Sequence, residues 1–434
     1  MNLQNLQKLF IDNGCRKIYV KKLSPNDNSK NQVYLGGSFE VLNIFPVFDI
    51  KTEEAGDWNK ERFKALIHFS WVGNDGNIYA APNSQLILYP KYPEVRFSGF
   101  LSKCQNPPSD LMTERIADRL LFLSVTNNGL ALGYVAAPES TLAQEFDNLE
   151  IKEQQGVFKV IELPENINTK ERLIAELRRI HLLNWIDSKS LTKNGLVPCT
   201  TPQCGGYTLE AELGIARNGL AAPDFLGWEI KNLGVKNLKK TDSAVITLFT
   251  PEPTHGIYKT EGAETFLRTY GYADKLGRED RINFGGIHKA QVIHHQTKLQ
   301  IHLVGFDAVS GKIRNTDGRI ALLDSEGHEA AAWSFASLLL HWNTKHNQAC
   351  YVPSISDKVN GLRYKYDDEV ILGLGTDFQL FLQQMALGNI YYDPAIKMER
   401  ASTQKPEIKK RSQFRITARY LKNIYKDCQV VSLL

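Results

Sequence analysis

Apolar and polar positions alternate in short runs over the first third of the chain. The segments "KIYVKKL", "QVYLGGSFEVLNIFPVFDI", "KALIHFSWV", "QLILYP" and "EVRFSGFL" are rich in β-branched and aromatic residues, and turn clusters such as "SPNDNSKN" and "GNDGN" separate them. Short strands punctuated this way predict a mainly-β barrel or sandwich up to about residue 135. One helix, "SDLMTERIADRLLFL", is expected to interrupt them. Ser109 can cap it, and Leu111, Ile116, Leu120 and Leu123 recur near helical spacing. Residues 138–168 turn polar and acidic, which places one domain over 1–160, a linker over 161–167 and a second domain over 168–434.

Beyond the linker the period changes. "NTKERLIAELRRIHLLNWIDSK" predicts an amphipathic helix: Leu173, Leu177, Ile180 and Asn184 trace one stripe, and Asn168 with Glu171 has the capping-box pattern. Expected strands ("FLGWEIKNL", "SAVITLFT", "KLQIHLVGFDAV", "RIALLD") then mix with expected helices ("EAAAWSFASLLLHWNTKH", "TDFQLFLQQMAL"). That mixture predicts an α/β domain around a central mixed sheet.

The 434 residues, 42% hydrophobic and 23% charged, suffice for two domains. No apolar run approaches the ~20 residues that span a bilayer, and "MNLQNLQKLFIDNGCRK" lacks the basic-then-apolar order of a secretory signal. A cytoplasmic protein without a membrane partner is expected. The six cysteines are Cys15, Cys104, Cys199, Cys204, Cys350 and Cys428. Only Cys199 and Cys204 lie close, and no second pair stands nearby at zinc spacing. All six are expected to be free thiols in a reducing cytosol. The chain also lacks a GxxxxGK[ST] phosphate loop, which argues against nucleotide-driven translocation, and it shows no nucleophile elbow.

The net charge of +4 is unevenly spread. Residues 1–165 carry 17 Lys and Arg against 20 Asp and Glu, whereas 396–426 alone carry ten basic and two acidic residues. Gln413, Phe414, Tyr420 and Tyr425 interleave with those bases, which suits a surface that meets phosphates and base edges. Lys397, Arg400, Lys409, Arg411, Gln413 and Arg415 are the candidate DNA-contacting residues.

One stretch carries candidate chemistry: "APDFLGWEIKNLG", beginning at Ala222. In a strand Glu229 and Lys231 point to one face while Trp228 and Ile230 point to the core. A bend at Gly227 can bring the Asp224 carboxylate beside that of Glu229. Two adjacent carboxylates repel unless they share a cation, and Mg²⁺ takes one or two carboxylates plus water and phosphate oxygens. Lys231 can then orient a nucleophilic water or face developing phosphoryl charge. Upstream, "GGYTLEAELGI" puts Glu210 on a short helix as a further carboxylate, and "SAVITLFTPEP" is expected to supply the neighbouring strand. The bland alternative is a surface strand whose Glu and Lys pair along one face.

"GGYTLEAELGIARNGLAAPDFLGWEIKNL" followed by "AVITLFTPEP" resembles the catalytic core of the MvaI-type restriction endonucleases. These belong to the PD-(D/E)xK superfamily, together with MutH-type repair nickases. The resemblance runs from about 168 to the C-terminus. It implies a monomeric Mg²⁺-dependent endonuclease acting on double-stranded DNA at a CC(A/T)GG-type site. Asp224, Glu229 and Lys231 would be the catalytic set, Asp224 and Glu229 the metal ligands, and Glu210 the accessory helix carboxylate. In the first domain, "KKLSPNDNSKNQVYLGGSF" and "YPKYPEVRFSGFL" resemble, more weakly, the two DNA-gripping arms of EcoRII-type effector pseudobarrels. Asn26, Asp27, Asn31 and Gln32 would lie in one arm, and Lys91, Glu94 and Arg96 in the other. Amides suit adenine edges, Arg and Lys suit guanine, and Glu accepts from cytosine. Plain turn chemistry accounts for the same residues equally well. A type IIE enzyme, activated by a second DNA copy on the first domain, is the implied whole. A strand-nicking repair nuclease and a non-catalytic DNA-binding regulator are the alternatives.

The histidines of "GGIHKAQVIHHQ" (His288, His294, His295) suit packing better than metal ligation. His341 and His346, five apart, miss the i, i+4 spacing of a zinc pair.

Overall fold

The chain folds into two units, Met1–Asn168 and Thr169–Leu434. The computed structural model describes residues 1–25, 31–53, 62–89, 94–114, 116–126, 129–151, 153–163, 169–217, 224–359 and 361–434, with the side chains of 340 and 343–345 outside that set. Among the described residues no helix is long and apolar enough to cross a membrane.

The first unit begins with helix α1 (Leu3–Asp12), followed by strands β1 (Cys15–Leu23), β2 (Val33–Gly36), β3 (Asp49–Glu53) and β4 (Arg62–Leu66). Next come β5 (Phe69–Val72), β6 (Ile78–Ala80), β7 (Gln85–Tyr89), β8 (Glu94–Ser98) and a short α2 (Ser109–Thr113). The unit closes with β9 (Arg119–Thr126), β10 (Ala131–Ala136), α3 (Thr141–Asp147), β11 (Gln154–Gln155) and β12 (Phe158–Glu162). These strands make a seven-stranded sheet, β11-β12-β1-β9-β10-β5-β6, and a five-stranded sheet, β2-β8-β7-β4-β3. No ladder joins the two among the described residues. Rings join them instead: Phe69 packs edge-on to Trp71 and to Phe97 of β8, at 5.0 and 4.8 Å. Gly133 makes room for that cluster, since a Cβ there would meet the Phe69 ring at 2.5 Å. β12 pairs with β1 through Glu162, so the chain is still strand where a linker was expected to begin.

The expected helix over "SDLMTERIADRLLFL" is corrected. Only Ser109–Thr113 is helical, without a side-chain cap, and Arg119–Thr126 is strand. β9 lies between β1 and β10 and is buried on both faces, so its apolar run carries no period that separates helix from strand. Helix α1, in turn, was not expected from the pattern. Asn2 caps it by accepting from the Asn5 amide, and Leu6 and Phe10 are its buried stripe.

The second unit runs α4 (Thr169–Leu182), β13 (Ile186–Asp187), β14 (Lys189–Thr192), β15 (Gly195–Pro198), α5 (Cys204–Glu212) and β16 (Glu229–Gly234). It continues with β17 (Val245–Phe249), α6 (Ile257–Thr260), α7 (Gly262–Tyr270), β18 (Tyr272–Ala273), β19 (Arg281–Gly285) and β20 (Gln300–Val304). Then follow β21 (Phe306–Asp307), β22 (Lys312–Ile313), β23 (Arg319–Leu323), β24 (Glu329–Ser334), α8 (Phe335–His346) and β25 (Gln348–Asp357). The last elements are β26 (Arg363–Tyr366), β27 (Glu369–Leu374), α9 (Phe378–Ala386), β28 (Ile390–Tyr392), β29 (Ala395–Glu399), β30 (Glu407–Lys409), β31 (Phe414–Thr417) and β32 (Asp427–Ser432).

A mixed sheet, β13-β26-β25-β27-β32 with β16 parallel to β25, carries the site. One face of it packs against α4 and α5. Leu173, Leu177 and Ile180 of α4 join Leu209, Trp228 and Ile230 in a single core cluster. The fourth residue of the expected stripe, Asn184, is exposed in the turn after the helix, which ends at Leu182. Asn168 of the expected capping box lies outside the described residues.

Three expectations are corrected here. "SAVITLFT" is a strand, β17, but it belongs to the separate sheet β17-β31-β28, and the neighbour of β16 is β25. "EAAAWSFASLLLHWNTKH" splits: Glu329–Ser334 is a buried strand, and α8 starts only after Ser334, whose hydroxyl accepts from the Ser337 amide. Cys199 and Cys204 are not free thiols. They form a disulfide with their Cα atoms 5.7 Å apart, tying the chain after β15 to the first residue of α5. Cys15, Cys104, Cys350 and Cys428 are free.

Candidate active site

The turn before β16 sets the geometry. Leu226 and Gly227 both have positive φ, 49° and 90°, and Phe225 and Trp228 exchange both backbone hydrogen bonds, at 2.9 and 2.8 Å. Two left-handed residues between bonded partners make the tight turn that glycine favours. This turn doubles the chain back, so that Asp224 Oδ2 accepts the Ile230 amide at 2.9 Å. The anticipated alternation also holds. Trp228 and Ile230 lie in the core cluster, while Lys231 Nζ donates to Glu229 Oε1 at 2.6 Å. Glu229 is only 2% exposed. A carboxylate at that depth needs a cation or several donors beside it.

Helix α5 brings Glu210. Its Gly205 allows a close approach, since a Cβ there would meet the Asn232 side-chain amide of β16 at 2.5 Å. Burial pushes the Glu210 carboxyl up to about 7, and the negative charges of Asp224 and Glu229 push the same way while Lys231 opposes them. Three carboxyl groups from a turn, a strand and a helix therefore share one electrostatic site. No trio of His, Cys, Asp and Glu among the described residues closes into a metal cage by itself. A hard divalent cation nevertheless fits this donor set. Two carboxylates leave the remaining positions to water and phosphate oxygens, and the mutual repulsion felt at Glu210 is what such a cation relieves.

The six candidate DNA-contacting residues fall in three places. Lys397 of β29 is in register with Lys409 of β30, and Glu399 with Glu407. Lys397 pairs with Glu399 at 3.1 Å, Lys409 with Glu407 at 3.0 Å and Glu399 at 3.3 Å, and Arg400 with Glu407 at 3.6 Å. Arg411 is exposed between β30 and β31. Gln413 is buried and accepts from the Thr247 hydroxyl at 3.4 Å. Arg415 of β31 donates to Asp393 at 2.6 Å and to Thr247 at 3.3 Å.

In the first unit, register places Tyr34 of β2 opposite Arg96 of β8. Arg96 donates to Glu94 and, at 3.3 Å, to Gln32. Asn31, Gln32 and Arg96 line a cavity of about 270 Å³ together with Lys21, Tyr34 and Arg119. Asn26, Asp27 and Lys91 lie outside the described residues.

Of the three histidines of "GGIHKAQVIHHQ", His288 and His294 are buried and His295 is exposed. His288 is fully buried, bonded to the Gly286 carbonyl and the Thr297 hydroxyl at 2.9 Å each, and stacked on His294. Burial holds it well below the usual imidazole range, at about 3. Arg217 is a site neighbour that no sequence motif singled out. It lies over the Tyr207 ring at 4.3 Å, and its charge lowers the Glu210 carboxyl. Its only sequence signal is position, seven residues after Glu210 in the chain.

These features belong to a chain that matches a known family of nucleases. The MvaI/BcnI restriction endonuclease family matches residues 174–425, more than half of the sequence. The chain belongs to the MvaI/BcnI restriction endonuclease family. Two solved structures are similar to it. One, described as a complex of restriction endonuclease MvaI with cognate DNA substrate, is 20% identical with a TM-score of 0.46, over 61% of this chain and 98% of that one. Restriction endonuclease MvaI in the absence of DNA is 21% identical with a TM-score of 0.35, over 62% and 99%. No curated protein matches the chain.

Proposed function

We propose that this restriction endonuclease hydrolyses phosphodiester bonds of double-stranded DNA at a CC(A/T)GG-type site in the presence of Mg²⁺, with Asp224, Glu229, Lys231 and Glu210 as its PD-(D/E)xK site. The observation that carries the reading is the convergence of three carboxyl groups and one ammonium at β16, in a chain of this family. Asp224 is fixed by the Ile230 amide and Glu229 by Lys231, so both carboxylates are oriented before substrate arrives. When held by Asp224 and Glu229, the cation supplies charge neutralisation and a lowered water pKa. The Lys231 ammonium stands where it can hold an attacking water and face charge developing on phosphorus. In the metal-free site the Glu210 carboxyl lies near 7, so it can hold a proton at neutral pH until the cation arrives.

The first unit is proposed to hold a second copy of the site and so raise the cutting rate, a coupling between two DNA sites. In this the arrangement resembles the type IIE enzyme UbaLAI. Gln32, Glu94 and Arg96 are its best-placed candidate contacts, with Asn31 beside them. Cutting plasmids with one and with two sites tests the coupling. Faster cutting of the two-site plasmid, or stimulation by a short cognate duplex, is expected. Equal rates without stimulation would remove the effector role and leave the catalytic reading intact.

A further inference from the structure

The sheet face that carries Glu229 and Lys231 continues inward across two strands. Glu229 is in register with Ala349 of β25, and Ala349 with Gly373 of β27. Residues in register across a ladder share a face, so the row beside Glu229 offers a methyl group and then no side chain at all. The Tyr425 ring occupies that space, since a Cβ on Gly373 would sit 2.5 Å from it. Two residues further along the same face, Lys231 is in register with Tyr351. The Tyr351 and Tyr425 hydroxyls are 2.8 Å apart, and the Tyr425 hydroxyl lies 3.2 Å from His346 Nδ1. His346 Nε2 lies 3.1 Å from the Leu248 carbonyl, and its ring stacks on Trp342 at 4.2 Å. Tyr351, Tyr425 and His346 are all buried.

The direction of the hydrogens follows from the last acceptor. A carbonyl only accepts, so His346 Nε2 donates to it. A neutral ring then accepts at Nδ1 from Tyr425, whose oxygen accepts from Tyr351. Each phenol thus has one orientation that satisfies its neighbours, and Tyr425 takes part in both of the links between side chains. Buried polar chains of this kind fix side chains in place when every member is satisfied. Burial raises both phenols far above their ordinary range and the nearby Glu229 charge adds to it, so both stay protonated beside the carboxylate. The far end of the chain, Leu248, lies on β17, whose partner β31 carries Arg415.

We infer that Tyr351, Tyr425 and His346 form a buried positioning relay that holds the Glu229–Lys231 pair for cleavage and ties it to the β17–β31 ladder. The inference rests on the proposed catalytic role of Glu229 and Lys231. None of the three touches the reacting atoms. Their role is to fix where the wall beside Glu229 stands.

Single-turnover cleavage and equilibrium binding of a cognate duplex, measured on Tyr351→Phe, Tyr425→Phe and Glu229→Gln, test it. Each tyrosine change is expected to slow cleavage roughly 10–100-fold, the range seen for residues that orient catalytic ligands, with unchanged duplex Kd and no recovery at saturating DNA. The double change should slow cleavage no more than Tyr425→Phe alone, because both break one chain. Parental rates in both tyrosine variants with Glu229→Gln inactive overturn the relay and leave the site standing. Parental cutting by Glu229→Gln overturns the site itself. Losses confined to duplex affinity or melting temperature also overturn the positioning role. Should Tyr425→Phe fail to fold, Tyr351→Phe decides alone, since it removes only the terminal hydroxyl.

Discussion

The strand β16 and the basic tract 396–426 handle charge in opposite ways. At β16 like charges are crowded: burial, and after it the charges of Asp224 and Glu229, raise the Glu210 carboxyl to about 7, with Lys231 opposing them. In the tract basic residues outnumber acidic ones ten to two, and several of them are paired. Its two acidic residues, Glu399 and Glu407, pair with Lys397, Lys409 and Arg400 along one ladder, and Asp393 holds Arg415. Pairs near the surface add little to stability, so displacing them costs little. Under the proposed function the crowded carboxyl groups would share a cation, and the shallow pairs would give way to phosphates.

That contrast ranks the expected effects of mutation. Asp224→Asn, Glu229→Gln or Lys231→Ala should lower plasmid cutting by at least roughly 10²–10³-fold, the loss typical of removing one transition-state interaction, with cognate duplex binding kept in a gel-shift assay. Retained cutting by all three would erase the distinction between the regions. Next is the Cys199–Cys204 bond. Replacing both cysteines by serine should lower the unfolding free energy by roughly 2 kcal/mol for so short a loop, read from urea melts, and the unreduced denatured parent should titrate as four thiols.

Glu210 gives a smaller, pH-dependent effect. Its carboxyl titrates near 4.5 when unfolded and near 7 in the fold. The folded state therefore binds the extra proton between those values, and stability falls as pH rises through that window and levels off above it. In metal-free buffer Glu210→Gln should remove that part of the slope, measured as melting temperature against pH. An unchanged slope would mean that the fold does not raise the Glu210 carboxyl. The smallest effect is expected in the tract. Lys409→Ala or Arg411→Ala should reduce the salt dependence of DNA binding by about 0.9 in slope for each phosphate no longer neutralised, with the cleavage rate of bound DNA unchanged.

Local pattern made the site strand legible and left its surroundings hidden. Alternation around Trp228 and Ile230, a glycine at the bend and a short glycine-led helix before it were enough to set Asp224, Glu229, Lys231 and Glu210 together. Long-range pairing was not legible. β16 takes its neighbour from β25, more than a hundred residues on, not from the adjacent "SAVITLFT". Strands buried on both faces, β9 and β24, lose the alternation that marks a strand, so their leucine and alanine runs read as helix. The disulfide depended on the chain folding back between β15 and α5, which spacing alone does not reveal. Tyr351, Tyr425 and His346 meet only because Ala349 and Gly373 leave a gap on the sheet face, a fact of register that no local motif carries.

The central claim is that the carboxylates beside β16 are the cutting centre. A Mg²⁺ titration of supercoiled plasmid carrying a CC(A/T)GG site, run side by side on the parent chain and Asp224→Asn, tests it most directly. The account predicts Mg²⁺-dependent linear product from the parent and none from Asp224→Asn, which still shifts a cognate duplex. Parental cutting by Asp224→Asn would contradict it.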